Sequence, residues 1–481
     1  MSLNKRIVSG FFWSTGGQAI YITITLITNI LLARILSPEE FGQMGIIIFF
    51  TTVANVFVAS GLIGAIIRLP EANSEDFKTV FTFNLSISIL LYLCLFISSP
   101  FIGDFYGDIE LAYYLRVSGI ILIINAFQLV NNAILVRNMR FSHKSIYNVV
   151  AVALASAFAL FLAYHDFGVW SLVVLQITTP IFIVLQFAIF ERLFIKLGWN
   201  KESFSKLYSF GVNTTISNLL NTAFQNIYNL ILGKYFSMSQ VGYFYQAQKL
   251  QQVPQTVLNI FTQNVLLSGL AKIQHEKDLL KKTYEKFVSI LTALVGFITI
   301  ITYVYSKEIV ILLYGEKWIN SAFFLQLLII AGFFYMQEQF NRVIFKVYDK
   351  TKIILYLEIV KKLIQAVTII VGIISKDILI LIFGLIFTNI ISTFCNYYYS
   401  NKIISTKIEI QNLFKVIIAG AISILFCILF IKTFKITGYK VFFTAPFLLV
   451  IYALTLQVFR VIHIKKDLSL LLNMIKKSKN A

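Results

Sequence analysis

Charged residues that interrupt long apolar stretches are the features of this sequence with the clearest chemistry. Nine of them stand within such stretches or at their ends: Arg68, Arg116, Arg137, Lys249, Glu338, Arg342, Glu358, Lys361 and Lys362. A charge inside lipid is costly, so such residues are functional candidates. Arginine holds an anionic group through two hydrogen bonds, lysine acts as a point charge, and a carboxylate can carry a proton. The basic residues are therefore candidates for binding an anionic substrate, and the two glutamates for coupling to an ion.

Ion pairing within one helix is the structural alternative for five of these residues. Glu338 and Arg342 are four residues apart, and Glu358 stands three and four residues before Lys361 and Lys362. Residues at these spacings are neighbours on a helix surface. Consecutive residues point about 100° apart, so Lys361 and Lys362 cannot face the same direction. Static ion pairs and substrate-contacting charges both remain open here.

The other four basic residues have different local contexts. Lys249 lies about two turns into its apolar stretch, and polar side chains there should face water or substrate. Four glutamines accompany it: Gln246, Gln248, Gln251 and Gln252. Arg116 either lines a cavity or extends to the outer headgroups. Arg68 and Arg137 stand at predicted cytoplasmic ends, where inner-leaflet phosphates are the expected partners.

The composition defines the elements that must carry these charges. Of the 481 residues, 58% are hydrophobic and 13% charged, and the mean hydropathy is +0.80. Apolar runs of about 20 residues, enough for a membrane-spanning helix, recur along the chain. We predict an all-α polytopic membrane protein with about 14 transmembrane helices of about 22 residues each. The remaining residues suffice only for short loops, which excludes a soluble catalytic domain, and we expect no enzymatic activity.

The distribution of basic residues predicts the orientation. The net charge of +19 comes from 41 basic and 22 acidic residues. On the predicted spans, 29 basic residues fall on one side of the membrane and 10 on the other. Cytoplasmic segments carry the excess of Lys and Arg, so we expect both termini in the cytoplasm. This accounts for the charge without a nucleic-acid partner. The dispersed cysteines and histidines predict no metal site, and we expect no cofactor.

An internal repeat organises the chain. Residues 29–42 (NILLARILSPEEFG) align without a gap with residues 229–242 (NLILGKYFSMSQVG), at an offset of 200 residues. Further matches pair 105–108 with 313–316, and the segment from Asn131 with that from Asn341. The Ser37 and Ser237 segments also predict capping boxes that begin a helix. We predict an N-lobe at 1–206 (spans 1–6), a C-lobe at 207–402 (spans 7–12), and spans 13–14 with a basic cytoplasmic tail at 403–481. Two such bundles around a cavity are typical of a transporter.

Several short segments carry a family resemblance: 36–42 (LSPEEFG), 105–111 (FYGDIEL), 137–141 (RNMRF), 242–249 (GYFYQAQK) and 313–318 (LYGEKW). In order and spacing they resemble the oligosaccharide repeat-unit flippases of the multidrug/oligosaccharidyl-lipid/polysaccharide exporter superfamily, on the branch that includes the colanic acid exporter. The resemblance runs over residues 1 to about 400. It implies two lobes in a V shape, two additional C-terminal helices, and alternating access.

The resemblance also implies a function. The expected cargo is a polyprenyl-diphosphate-linked oligosaccharide, flipped across the bacterial inner membrane for capsule, O-antigen or exopolysaccharide synthesis. Membrane lipids and other glycan-assembly membrane proteins are the expected partners. No Gly-x-x-x-x-Gly-Lys loop for a nucleotide is present, so a proton or sodium gradient is the expected energy source.

Two other functions remain open. A multidrug cation antiporter of the same superfamily would have acidic cavity residues and fewer spans. A membrane glycan polymerase would need a sizeable extramembrane loop with Arg, His or Asp, and no predicted loop exceeds about 20 residues.

Overall fold

Backbone hydrogen bonding determines the architecture of so apolar a chain, because lipid offers no partners for N–H and C=O groups. A computed structural model describes residues 3–59, 61–69, 71–191 and 195–461. Within those ranges the chain forms helices joined by short turns, with no β-strand. The prediction of an all-α protein is confirmed. The predicted tail beyond residue 461 lies outside the described residues.

Packing divides the chain into two compact units, Met1–Tyr245 and Gln246–Ala481. The lobe boundaries predicted at residues 206 and 402 follow the sequence repeat, and they stay a prediction. The first unit contains α1 Leu3–Ile35, α2 Pro38–Ala59, α3 Leu62–Arg68, α4 Ser74–Tyr106, α5 Ile109–Ser118, α6 Ile120–Arg137, α7 Phe141–Tyr164, α8 Val169–Gln186 and α9 Lys201–Tyr235. A π-helical turn, Phe187–Glu191, follows α8.

The next helix, α10 (Met238–Phe261), begins in the first unit and continues into the second. The second unit then contains α11 Leu267–Lys272, α12 Lys277–Val304, α13 Ser306–Tyr314, α14 Ile319–Val347, α15 Thr351–Ser375, α16 Ile378–Ile404, α17 Lys407–Thr433 and α18 Ala445–Val458. A π-helical turn at Thr262–Leu266 and two 3-10 segments, Glu316–Trp318 and Gly438–Thr444, complete it.

Eleven helical segments among the described residues are long and apolar enough to cross a membrane. Three further helices have 24 to 35 residues but are more polar: α9, α10 and α15. In α15 the polarity comes from Glu358, Lys361 and Lys362, which are predicted site residues. The predicted 14 spans are consistent with this set.

Helix starts at the predicted outer surface are built as the repeat predicts. At α2, the Ser37 N–H and hydroxyl donate to the Glu40 carboxylate at 2.6 and 2.8 Å, and the Glu40 N–H donates to Ser37 Oγ at 3.3 Å. This is a complete capping box. At α10, the Gln240 N–H donates to Ser237 Oγ, also at 3.3 Å. The bond from the third helical residue back to the capping serine thus recurs in both copies.

The second repeated match, 105–108 with 313–316, also has a repeated backbone geometry. Gly107 follows α4 with φ of 70°, and Gly315 follows α13 with φ of 96°. L-residues with a side chain rarely adopt such angles, whereas glycine does so readily. Each glycine therefore ends one helix and lets the chain turn into the next.

The second unit has an extended apolar core that fixes the position of α14. Phe340 and Val343 of α14 pack in a cluster with Tyr284 of α12 and with Leu413 and Val416 of α17. Lipid is as apolar as these side chains, so close van der Waals packing, rather than escape from water, stabilises this arrangement. The other side of α14 faces α15 and α16, where the predicted charges lie.

Candidate functional site

Five of the predicted site residues come together between α14 and α15. They are Glu338, Arg342, Glu358, Lys361 and Lys362, and we call them the charge cluster. The sequence predicted each residue as intramembrane and charged. The structure adds that the two helices join their charges into one continuous network.

Glu338 is at the fully buried end of the charge cluster, with 0% of its side chain exposed. Its Oε1 lies 2.5 Å from the Arg342 guanidinium, and its Oε2 lies 2.8 Å from Lys361 Nζ. The Ser392 hydroxyl of α16 donates to the same Oε2 at 2.7 Å. Three helices therefore supply partners to one carboxylate, which offsets the cost of burying its charge.

Glu358 is at the less buried end, with 15% of its side chain exposed. Arg342 forms a second ion pair there, with Glu358 Oε2, and so bridges both glutamates. Lys362 Nζ lies 3.2 Å from Glu358 Oε1. A substrate group that approaches this end would meet Glu358, Arg342 and Lys362 before Glu338.

One proposed ion pair is wrong. Pairing of Lys361 with Glu358 is not found; Lys361 pairs instead with Glu338, 23 residues away and on another helix. The physical reason is the turn between consecutive residues: Lys362 faces Glu358, so Lys361 points about 100° away and toward α14. The predicted Glu338–Arg342 and Glu358–Lys362 pairs are both present.

The charge cluster can present positive charge to an anion. It holds three basic and two acidic groups, so one positive charge is in excess when all are ionised. The Arg342 Nε–H has no hydrogen-bond partner among the described residues. Guanidinium groups bind phosphate-like oxygens through paired donors. An anion that displaced Glu358 from Arg342 would gain these donors.

Arg116 has its own setting, on α5 against α4. Its Nε donates to Ser99 Oγ at 2.9 Å, and its guanidinium carbon lies 4.8 Å from the Phe96 ring centroid. The side chain is half-buried. Cation–π contacts of this kind stabilise a cation away from bulk water. The predicted substrate-binding role of Arg116 stays a prediction.

Arg137 contacts the end of the short helix α3, and Arg68 is the last residue of that helix. Arg137 Nη1 donates to the backbone carbonyls of Ile66 and Leu69 at 2.7 and 2.6 Å, which satisfies the carbonyls at the end of α3. Such carbonyls otherwise lack partners in their own helix. Arg68 lies in the last turn of α3 and is exposed. A phosphate-binding role for both residues stays a prediction.

Lys249 lies on an exposed polar stripe of α10. Lys249, Gln252 and Thr256 are all exposed and stand at helical spacings of three and four residues. Gln246 and Gln251, by contrast, are buried at 0% and 6% exposure. A polar helix face inside a membrane should border water or substrate rather than lipid tails. The predicted substrate-binding role of Lys249 stays a prediction.

Glu409 is a buried acid that the sequence reasoning missed. It is 8% exposed and accepts hydrogen bonds from Asn341, Thr406 and Tyr284. The apolar run that predicts span 13 starts at Leu413, which leaves Glu409 outside the predicted span, whereas α17 begins at Lys407. The spacing from Thr406 to Glu409 matches a capping box and indicates this helix start.

Within the described residues, no group of three or more His, Cys, Asp or Glu is placed to hold a metal ion.

Its long apolar helices, which enclose a buried charge cluster, identify this chain as a multi-pass membrane protein. Residues 31–323, more than half of the chain, match the family model described as "Polysaccharide biosynthesis protein". The chain therefore belongs to the polysaccharide biosynthesis protein family, as its resemblance to that family's exporters predicted.

Three curated relatives are similar over about two thirds of their length. The succinoglycan biosynthesis transport protein ExoT of Rhizobium meliloti (strain 1021) is 21% identical over 65% of this chain and 64% of its own. The lipopolysaccharide biosynthesis protein WzxC of Escherichia coli (strain K12) is 24% identical over 69% and 68%, respectively. The teichuronic acid biosynthesis protein TuaB of Bacillus subtilis (strain 168) is 22% identical over 69% of both chains.

Solved structures share the fold over a larger part of the chain. A structure of the lipid II flippase MurJ in an inward closed conformation matches with a TM-score of 0.73 and 13% identity, over 95% of this chain and 99% of that one. An inward-facing multidrug resistance MATE family transporter of the MOP superfamily matches with a TM-score of 0.61 and 16% identity, over 81% and 94%. At these identities the likeness shows the fold alone.

Proposed function

We propose that this protein flips polyprenyl-diphosphate-linked oligosaccharide repeat units across the bacterial inner membrane for surface polysaccharide synthesis. The observation that carries the proposal is the excess positive charge of the charge cluster, enclosed among α14, α15 and α16. Polysaccharide-synthesis relatives and the flippase fold support this assignment. The protein acts as a transporter without catalysing a covalent step.

The charge cluster would bind the diphosphate of the cargo. Arg342 and Lys362 lie at its less buried end, where both pair with the carboxylate of Glu358. A diphosphate carries more negative charge than that carboxylate and can accept from several donors at once. Cargo binding therefore exchanges a protein carboxylate for phosphate oxygens around the same cations. Lys249 and Arg116 would add positive charge along the path.

Ion coupling follows from the same exchange. When the diphosphate takes Arg342 or Lys361, Glu358 or Glu338 loses a cationic partner. A carboxylate left in a low-dielectric region without that partner takes up a proton more readily. Cargo and proton thus become reciprocal ligands of the charge cluster. Both cationic partners of Glu358, Arg342 and Lys362, lie at the less buried end of the charge cluster. We therefore propose that Glu358 takes up a proton before Glu338 does.

A multidrug cation antiporter is the second candidate, and the MATE-like fold is compatible with it. The composition of the charge cluster favours an anionic cargo instead, because a site for organic cations should carry excess negative charge. The two functions predict opposite preferences for the sign of the substrate charge.

A reconstituted flipping assay tests the proposal. The full chain is inserted into proteoliposomes that contain a fluorescent polyprenyl-diphosphate oligosaccharide, and a membrane-impermeant quencher reports the leaflet. We expect flipping of this lipid, and no export of a cationic dye such as ethidium. Transport of the dye without flipping of the lipid would overturn the assignment. In cells, deletion should leave lipid-linked glycan on the inner leaflet.

The orientation is tested separately by cysteine labelling in a background that lacks the three native cysteines. Lys317 and Lys277 are both exposed and lie at opposite ends of the segment from α12 to the start of α14. With both termini in the cytoplasm, Lys317→Cys should react with an impermeant maleimide from outside. Lys277→Cys should react only after permeabilisation. The reverse pattern would contradict the proposed topology.

A further inference from the structure

A second polar site lies in the second unit, where it contacts α14 through Asn341, the residue directly before Arg342 of the charge cluster. Glu409 of α17 is its centre. Asn341 Nδ2 donates to Glu409 Oε1 at 2.6 Å, and Thr406 Oγ1 and Tyr284 Oη approach Oε2 at 3.3 and 3.4 Å. Asn341 in turn accepts a hydrogen bond from Ser400 of α16 through its Oδ1. Four helices therefore converge on one carboxyl group.

The surroundings of Glu409 differ from those of the charge cluster in their charge. Its hydrogen-bond partners among the described side chains are all neutral: a tyrosine, an asparagine and a threonine. The titratable groups that face it are Tyr284 and Glu285 on α12 and Tyr397 on α16. On α14 the facing residue is Asn341; Glu338 and Arg342 of that helix pair with α15, and Lys346 donates to Gln263. None of these described groups supplies a positive charge to Glu409.

We propose that Glu409 is a proton-binding site. Burying a carboxylate among neutral partners is costly, and proton uptake removes that cost. The helix N-terminus of α17 acts in the opposite direction, because its dipole stabilises a negative charge. These opposing effects make both protonation states accessible to the group. A proton on Oε2 leaves Oε1 to accept from Asn341, as it does in the structure.

The geometry accommodates both states without rearranging the backbone. A hydroxyl group can donate one hydrogen bond and accept others, so Thr406 and Tyr284 can reverse their roles. With ionised Glu409, both hydroxyls donate to Oε2. With protonated Glu409, the carboxylic O–H donates to one of them. Replacing the acid with glutamine would keep an acceptor for Asn341 and a donor at the second position.

This site is connected to the charge cluster through two shared helices. Asn341 lies on α14 directly before Arg342, and Ser400 lies on α16 two turns after Ser392, which binds Glu338. A proton on Glu409 neutralises the carboxylate that accepts from Asn341, and so weakens a charge-assisted hydrogen bond that fixes this turn of α14 without breaking it. We infer that protonation of Glu409 and cargo binding are linked, a step that rests on the proposed function.

Infrared difference spectroscopy tests the proton site without any cargo. The full chain in lipid nanodiscs is titrated with pH, and the carbonyl stretch of protonated carboxylic acids is followed. We expect a titrating band that Glu409→Gln removes and that Glu75→Gln, a change at an exposed acid, retains. Glu409→Asp should shift the band, because the shorter acid loses the described hydrogen bonds. A band unchanged in both Glu409 variants would overturn the proposal.

The linkage is tested by cargo binding as a function of pH. Wild-type affinity for the polyprenyl-diphosphate oligosaccharide should change by about fivefold or more across the titration, the lower end of common allosteric couplings. Glu409→Gln should bind the cargo with a flatter pH profile. If Glu409→Gln bound the cargo with the wild-type pH profile, the linkage would be overturned, and the proposed flippase function would still stand. Absence of cargo binding in the wild type would instead refute the proposed function.

Discussion

Gly42 and Gly242, equivalent residues of the internal repeat, make reciprocal contacts with the backbone at the start of each other's helix. A Cβ atom at Gly42 would collide with the carbonyl oxygen of Met238, and one at Gly242 with the carbonyl oxygen of Pro38. Pro38 and Met238 are the first residues of α2 and α10. The two copies of the motif thus cross at the distance of backbone contact, which only glycine permits on both sides.

The contact predicts that Gly42→Ala and Gly242→Ala each destabilise the protein. The added methyl group meets backbone atoms, which cannot rotate away, so one helix must shift. Overpacking of this kind costs about 1–3 kcal/mol. The free energy of unfolding, measured by titration with denaturing detergent in mixed micelles, should fall by this amount in each variant.

Gly269→Ala is the matched control for these variants. Gly269 lies within α11, and a Cβ atom there would have no atom within 4 Å. Alanine favours a helix by about 1 kcal/mol relative to glycine. This variant should therefore be as stable as the wild type or slightly more so. Equal stability of the Gly42 and Gly269 variants would contradict the close contact.

The sequence predicted features that depend on neighbouring residues and missed those that depend on the fold. The Ser37 capping box, for example, is complete within four residues. The partner of Lys361, by contrast, is on another helix, and helical spacing alone favoured Glu358. The glycine contact was missed for the same reason. The amino-acid composition does not indicate which two helices pack against each other.

The candidate site was predictable in its residue types and not in its connections. An apolar stretch makes Glu338, Arg342 and Lys361 conspicuous, because each is costly in lipid. Glu409 stands at a helix start, where acidic residues are common and usually exposed. Its burial arises because α12, α14 and α16 converge there. Sequence position gave no indication of that convergence.

Lys361 and Lys362 should differ in their contribution to stability despite being adjacent. Lys361 is 7% exposed and pairs with Glu338, which is fully buried. Removing one partner of a buried pair costs about 3–5 kcal/mol. Because Glu338 keeps Arg342, we expect Lys361→Met to cost about 3 kcal/mol, at the lower end. Lys362 pairs with Glu358, which is 15% exposed and keeps Arg342, so Lys362→Met should cost less than Lys361→Met.

Unfolding in mixed micelles measures both values, and a double-mutant cycle isolates the pair. Glu338→Gln combined with Lys361→Met removes both charges, so the double variant should be more stable than the sum of the single changes indicates. Equal losses for Lys361→Met and Lys362→Met would contradict the interhelical ion pair as the reason for the difference.

Lys249 should contribute positive charge to the cargo path. Its exposed stripe with Gln252 and Thr256 gives a polar border within a membrane helix. Lys249→Ala removes the charge, whereas Lys249→Arg retains it. Glycan export at equal protein level should therefore fall about tenfold in the alanine variant, equivalent to about 1.4 kcal/mol. The arginine variant should stay within about twofold of the wild type, a difference below 0.5 kcal/mol.

An exposed lysine elsewhere serves as the control for this measurement. Lys432 lies in the last turn of α17 and is exposed. Lys432→Ala makes the same chemical change outside the proposed path, so its export should match the wild type. If both Lys249 variants exported normally, Lys249 would have a structural role only.

The glutamates of the charge cluster should be required for ion coupling rather than for cargo binding. Both carboxylates compete with the cargo diphosphate for Arg342 and the lysines, so neutralising either one should leave cargo binding intact or strengthen it. A glutamine cannot carry the coupled proton. Glu358→Gln and Glu338→Gln should therefore abolish flipping driven by a pH gradient in proteoliposomes, while both variants still bind the cargo.

Glu358→Gln should disturb the fold less than Glu338→Gln, because Glu358 is 15% exposed and Glu338 fully buried. Glu75→Gln, at an exposed pair with Lys78, should flip the lipid at the wild-type rate. If both cluster variants flipped normally under a proton gradient, the charge cluster would serve stability alone, and coupling would require a carboxyl group elsewhere in the membrane, such as Glu409.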